Sequence, residues 1–445
     1  MYVVSGVLTI GIIIIILLSV GYTTEYSFSQ SGVTPVIRDD DLMAELVFNG
    51  TVKGITNMAF LDDDDILVLE RVNGNVRRVI DGVLLAEPLL DVNVTLDDGL
   101  LGIATSENDS NRYVFLYYTE SPRGYGNDID KSNTEQLELV NKTFGYIREC
   151  NCLYRYELVD NKLINGKLLL NLPAKPPGNQ HHGGEIVVGP DDNVYVVIGD
   201  LGATEMGIEA GITKAQNFEN GHEPDGRAGI LRVTQDGKPS EQGILGDDYP
   251  LNLYYAYGIR NSFGMDFDPV TGNLWNTENG PDYGDEINLV EPGFNSGWGQ
   301  VMGHSNLEQN SDFTVDDLVD FDGKGEYSDP KFTWVYQVGP TAIKFLNSDK
   351  LGEEYENDMF VADVNNGYIY HFDLNEDRTE LILEGPLEDK IAHTPEEMES
   401  TIFAEGFGGG ITDLQVGPDG YLYALTDKGI QKILPRTDKN IVNQD

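Results

Sequence analysis

GPDDNVYVVIGD, residues 189–200, reads as a tight acidic turn followed by an apolar, β-branched strand that stops on a carboxylate. The same texture returns in DPVTGNLWNTEN, residues 268–279, and in GPDGYLYALTD, residues 417–427. Proline, glycine and aspartate set the turn, while valine, isoleucine and tyrosine favour extended backbone. LDDDDILVLER (61–71) and ENDMFVADVNNGYIY (356–370) are weaker copies, and RYVFLYYTE (112–120) supplies a sixth. Several copies run through a second turn into another strand, as in LVLERVNGNVRRVI (67–80), where Asn73-Gly74 suits a hairpin. The units recur at roughly seventy-residue intervals, the length of one blade with long loops. This texture predicts an all-β chain: a six-bladed β-propeller with four-stranded blades, preceded by an N-terminal hydrophobic helix. Radial closure removes long exposed sheet edges, which a pair of packed sheets, the second choice, does not.

The leading helix is read from MYVVSGVLTIGIIIIILLSVGY, residues 1–22, which carries no charge and is just long enough to span a bilayer. It lacks a basic leader and a small-residue cleavage motif, so a signal anchor is favoured over a signal peptide. The expected organisation is then 1–22 anchor or signal, 23–40 linker, 41–436 propeller and 437–445 polar tail. The propeller is expected outside the cytoplasm, membrane-anchored or secreted, with the membrane touched through the first segment only. Sequons at Asn49, Asn93, Asn108 and Asn141 fit that placement. The chain holds 75 Asp and Glu against 29 Lys and Arg, a formal charge of −46. So acidic a molecule has no general attraction for nucleic acid or anionic lipid, because both need clustered cations. Cys150 and Cys152 are the only cysteines. Free thiols are the simplest expectation for so close a pair, with a local disulfide as the alternative.

Chemistry in a propeller belongs on the longer loops. Three stretches qualify. In GNQHHGGE, residues 178–185, a histidine held ahead of Gly183-Gly184 offers an imidazole that titrates near neutral pH. In YGIRNSFG, residues 257–264, Arg260 and Asn261 sit at a strand end, where a guanidinium fork and an amide suit an anionic oxygen. Farther on, Gly280-Pro281 frees backbone carbonyls and Asp285 and Glu286 add carboxylates, hard donors of the kind Ca²⁺ takes. The glycines of EGFGGGITD, residues 405–413, lack the lysine and following helix of a phosphate cradle, so close packing is expected there.

Taken together, DGLLGIA (98–104), HHGGEIVVGPDDNVYVVIGD (181–200), YGIRNSFGMDFDP (257–269), ENGPDYGDEINLVEPGFNSGWG (278–299) and ITDLQVGPDGYLYALTD (411–427) resemble the soluble pyrroloquinoline quinone-dependent glucose and aldose sugar dehydrogenase family. The resemblance implies oxidation of an aldose at C1 by hydride transfer to the quinone. It implies His181 as the base, Arg260 and Asn261 as quinone contacts, and the Gly280 and Pro281 carbonyls as Ca²⁺ ligands. Glu286 matches a further calcium ligand, although Ser296 stands where an aromatic residue is common. Asp97, Asn365 and Thr412, with Gly410, fall at cofactor-binding positions that are amide or basic in glucose-oxidising members. The resemblance thus implies a sugar substrate and an electron acceptor it does not name. Loss of the basic anchors keeps open a non-catalytic, calcium-stabilised propeller that binds a glycan or a partner protein. A metal-dependent lactone hydrolase ranks last, since its carboxylates are scattered over separate loops.

Overall fold

A computed structural model describes residues 34–50, 54–95, 99–107, 111–121, 149–174, 180–205, 207, 211–240 and 243–436. The described chain is almost entirely strand and turn, as the turn-rich, β-branched sequence dictates. Residues 189–200 behave as read. Gly189 N–H donates to Asn193 O (2.8 Å), Asp191 accepts the Tyr195 hydroxyl (3.0 Å), and Asn193–Ile198 follows as a strand. The 417–427 copy repeats this geometry: Gly417 N–H donates to Tyr421 O (2.9 Å) and Asp419 accepts the Tyr423 hydroxyl (2.8 Å). In each, the aspartate closes the turn by bonding a side chain four residues on, so the strand starts at a fixed place.

The strands assemble into six sheets of a propeller. Their innermost members, Ile55–Asp62, Leu100–Glu107, Ile186–Val188, Gly264–Phe267, Pro340–Phe345 and Ile411–Val416, contact one another in cyclic order. Closure is made by pairing an early strand of the described residues with the last one, Leu42–Asn49 antiparallel to Gly429–Pro435. The core lies between neighbouring sheets. Phe115 and Tyr117 pack with Val194 and Val196, while Trp275 and Trp334 pack with Ile343 and Val361. Each large apolar side chain removed from water in this way contributes about 1.5–3 kcal/mol before entropy is set against it.

The expectation of uniform four-stranded blades behind a hydrophobic helix is not the arrangement found. Two sheets have four strands, three have five and one has six. The largest gains Phe294–Asn295 and Glu326–Tyr327 as parallel additions from long loops, which cover an edge that would otherwise offer unpaired backbone. Among the described residues the helices are 3₁₀ turns such as Lys214–Gln216 and Pro395–Ser400, and none is long and apolar enough to cross a membrane. The anchor read over residues 1–22 lies outside the described residues, as does the 437–445 tail. A second correction concerns Cys150 and Cys152, which are joined to each other in a disulfide rather than left as free thiols. Neighbouring antiparallel strands leave both side chains buried, and the Cα atoms lie 5.4 Å apart.

Candidate functional site

Three loops meet because one glycine lets them. A Cβ on Gly199 would stand 2.3 Å from His181 O and 2.4 Å from Arg260 O, so only glycine permits this crossing. His181 itself takes φ 60°, a left-handed conformation uncommon for a non-glycine residue, which lifts its ring out of the strand that follows. Its Nδ1 meets Asp200 Oδ1 at 2.7 Å. Asp200 is fully buried and also accepts from Gly202 N–H (2.8 Å) and Trp298 Nε1–H (2.8 Å). Burial alone would raise this carboxyl, but the His181 ring, the indole and the backbone donor together hold it below its ordinary value. A carboxylate so fixed keeps the proton on Nδ1 and leaves Nε2 as the free acceptor.

Nε2 lies 3.8 Å from Glu205 Oε2, and the other oxygen of that carboxylate is held by Arg260 through Nε (3.1 Å) and Nη2 (2.5 Å). Arg260 Nη1 donates to Asn279 O (2.7 Å), and its guanidinium stacks 5.2 Å over Trp298. Each guanidinium nitrogen therefore has one partner, which leaves an N–H on Nη1 and one on Nη2. Asn261 Oδ1 accepts from Gly183 N–H (3.3 Å), tying the histidine loop to the arginine loop. His182, one residue from His181, is instead buried scaffold: its Nδ1 meets Asn151 Oδ1 (3.0 Å), and its carbonyl accepts the Tyr117 hydroxyl.

The Gly280-Pro281 turn adjoins this cluster through Asn279. Asp285 shapes the turn by accepting from the N–H groups of Gly280 (2.8 Å), Val338 (2.7 Å) and Gly339 (2.8 Å). Pro281 O accepts from Gln337 Nε2, and Asn365 Nδ2 donates to Gln337 O (3.4 Å), so Asn365 reaches the turn at one remove. Thr412 hydrogen-bonds Leu425 O within its own sheet (3.4 Å). Asp97 lies outside the described residues.

Glu286 pairs across the strands with Glu278, and both are buried. Burial pushes Glu278 up to about 7, against the stabilising Arg260 N–H (2.6 Å) and Ser296 hydroxyl (2.8 Å). Glu286 is raised well above the carboxylate range by burial and then by the charge of Glu278. Ser296 also lies 3.3 Å from Glu286 Oε2, yet a hydroxyl has one proton to give, so the second contact calls for a proton on a carboxyl or a cation between them. Asn279 Oδ1 and Asn288 Oδ1 are buried oxygens without a hydrogen-bond partner, the latter on the amide that donates to Glu286. Orphaned hard oxygens beside buried carboxylates are the donor set a cation such as Ca²⁺ accepts.

Sequence reasoning missed Glu205, Glu278 and the Asp200–Trp298 bond. Asp200 was visible as the polar end of the opening strand, but Glu205 meets a partner 55 residues away that no local pattern marks. A cavity of about 790 Å³ lined by Asp266, Lys344, Gln415 and Asp419 involves none of these groups.

Residues 53–435 match the family model described as Glucose / Sorbosone dehydrogenase. Aldose sugar dehydrogenase YliI of Escherichia coli is 25% identical over 392 residues, covering 86% of this chain and 90% of that protein. Quinoprotein glucose dehydrogenase B of Acinetobacter calcoaceticus is 31% identical over 261 residues, covering 54% of this chain and 49% of its own length. Among solved structures, the apo soluble aldose sugar dehydrogenase of E. coli matches with TM-score 0.64 at 22% identity, covering 89% of this chain and 100% of that one. The PQQ-bound aldose sugar dehydrogenase of Streptomyces coelicolor matches with TM-score 0.59 at 20% identity, covering 90% and 100%. At these identities the solved structures speak for the propeller fold alone.

Proposed function

The chain belongs to the glucose/sorbosone dehydrogenase family, and from that membership we propose that it oxidises aldose sugars at C1 with pyrroloquinoline quinone and Ca²⁺. The observation that carries the proposal is His181, whose Nδ1 is fixed by buried Asp200 while Nε2 is directed at the groups around Arg260. The sugar's C1 hydroxyl gives its proton to Nε2, and C1 loses hydride, leaving a lactone. Bound quinone would supply the two-electron acceptor for that hydride. Asp200 stabilises the imidazolium formed, as an oriented carboxylate does in other acid–base pairs. Arg260 and Asn261 would face the cofactor, with the guanidinium aimed at developing negative charge.

The Gly280 and Pro281 carbonyls would hold Ca²⁺, with Glu286 as a further calcium ligand, and the orphaned Asn279 and Asn288 oxygens support a hard cation in this region. The Cys150–Cys152 disulfide supports a placement outside the reducing cytoplasm.

Reconstituting the chain with quinone and Ca²⁺ should give dye reduction on aldoses, and His181→Ala should remove it. No turnover on any aldose, or full turnover in the variant, would sink the proposal. A second reading is favoured by Glu205 on Arg260 and by uncharged Asn365 and Thr412 at the anchor positions: a calcium-stabilised propeller that binds a glycan or partner protein without redox chemistry. Calorimetric titration with the quinone separates the two, since tight binding excludes the second.

A further inference from the structure

Three metal-ligating side chains stand together on a strand pair that the proposed chemistry does not use. Phe360 faces His371 and Met359 faces Phe372 between Met359–Asp363 and Ile369–Phe372. Asp358 and Asp373, one step farther out, therefore oppose each other at the end away from Asn365. We propose that Asp358, His371 and Asp373 form a binding site for a divalent first-row transition ion such as Zn²⁺.

His371 Nε2 lies 2.9 Å from Asp358 Oδ2 and 3.8 Å from Asp373 Oδ1, and one ligand atom from each residue fits within 4.8 Å of the others. Tetrahedral Zn²⁺ with bonds of about 2.0–2.2 Å sets its ligand atoms roughly 3.3 Å apart, so the three need only small shifts to close on an ion. The imidazole is positioned in advance, packed against Tyr355 (5.2 Å), Phe360 (5.1 Å) and Phe403 (6.3 Å), while the Tyr355 hydroxyl is held by Asp39 (2.9 Å). Like charges directly opposite on paired strands repel. A cation bound between Asp358 and Asp373 relieves that repulsion. Asp373 is the exposed member and gives the ion an entry from solvent. One imidazole nitrogen with two carboxylates, leaving one position of tetrahedral Zn²⁺ for water, suits Zn²⁺ better than the all-oxygen shell of Ca²⁺. Among the described residues, the other such group, Glu120 with Cys150 and Cys152, offers no thiolate because its sulfurs are bonded to each other.

Zn²⁺ should be titrated calorimetrically into the full chain in millimolar Ca²⁺, which fills hard-oxygen positions. The expected result is one saturable ion per chain with proton release, weakened by more than about tenfold in His371→Ala and in Asp373→Asn. Because Asp373 is exposed, its asparagine variant should melt like the parent in chelator, so lost binding there is not lost folding. No saturable event in the parent, or undiminished binding in either variant, overturns the site.

Discussion

Glu205 governs what Arg260 is free to do. Its carboxylate takes two of the guanidinium's donors and also faces His181, so any anionic ligand oxygen arriving at the clamp must displace it. A charge-assisted contact of this kind is worth about 1.5–3 kcal/mol, roughly a tenfold to hundredfold factor in affinity. Glu205→Gln keeps the shape and removes the charge. Quinone should therefore bind at least about tenfold more tightly to this variant, measured by fluorescence titration in Ca²⁺. Unchanged or weaker binding would mean that Glu205 does not compete for the clamp. His181 was legible in the sequence because glycines and a turn at fixed offsets surround it, whereas Glu205 sits in a loop without pattern. The sequence departures at Asn365 and Thr412 pointed to a shortage of cations. The geometry adds that Arg260 is already paired with Glu205 from within the chain.

At the scale of elements, the turns were readable and the crossings were not. The Asp191–Tyr195 and Asp419–Tyr423 bonds are local chemistry, complete within five residues, so their copies stand out in the sequence. The parallel strands Phe294–Asn295 and Glu326–Tyr327 join a sheet only through partners brought from elsewhere, and two residues are too few to show a period. The Gly199 crossing is of the same kind: nothing adjacent explains it, because the obstructing carbonyls belong to His181 and Arg260. Gly199→Ala places a methyl against both oxygens and must push the histidine and arginine loops apart. Overpacking of this sort costs about 1–3 kcal/mol. The variant should show a lower urea midpoint than the parent, together with weakened quinone binding as the two loops separate. A parent-like midpoint would show that the loops move apart without strain.

Across the whole molecule, the propeller is tied at its axis by charge. Asn57, Asp266, Lys344 and Asp413 come from innermost strands of four sheets, and Glu185 adjoins the innermost strand of a fifth. Asn57 Nδ2 donates to Glu185 (3.0 Å), Met58 N–H donates to Asp413 (2.8 Å), and Lys344 Nζ lies 3.6 Å from Asp266. Buried Glu185 and Asp413 and the partly buried Asp266 thus surround one ammonium, and they cannot all be charged without leaving a net negative cluster. Burial pushes Asp413 up to about 7, with Lys344 and the Met58 N–H opposing. Burial also raises Glu185 and Asp266, while Lys344 is held protonated by the three carboxyls despite its own burial. The folded state therefore holds a proton on Asp413 that the unfolded chain releases near its ordinary value of 3.8. Stability from that proton is complete below the unfolded value and is lost as pH rises through about 7, the reverse of an ion-paired aspartate. Melting temperatures taken from pH 5.5 to 8.5 should fall more steeply for the parent than for Asp413→Asn, by a few degrees over the range, since about 1 kcal/mol moves a domain of this size by roughly 2 °C. The asparagine cannot lose a proton, so parallel melting curves would place the titrating group elsewhere in the axis, on Glu185 or Asp266.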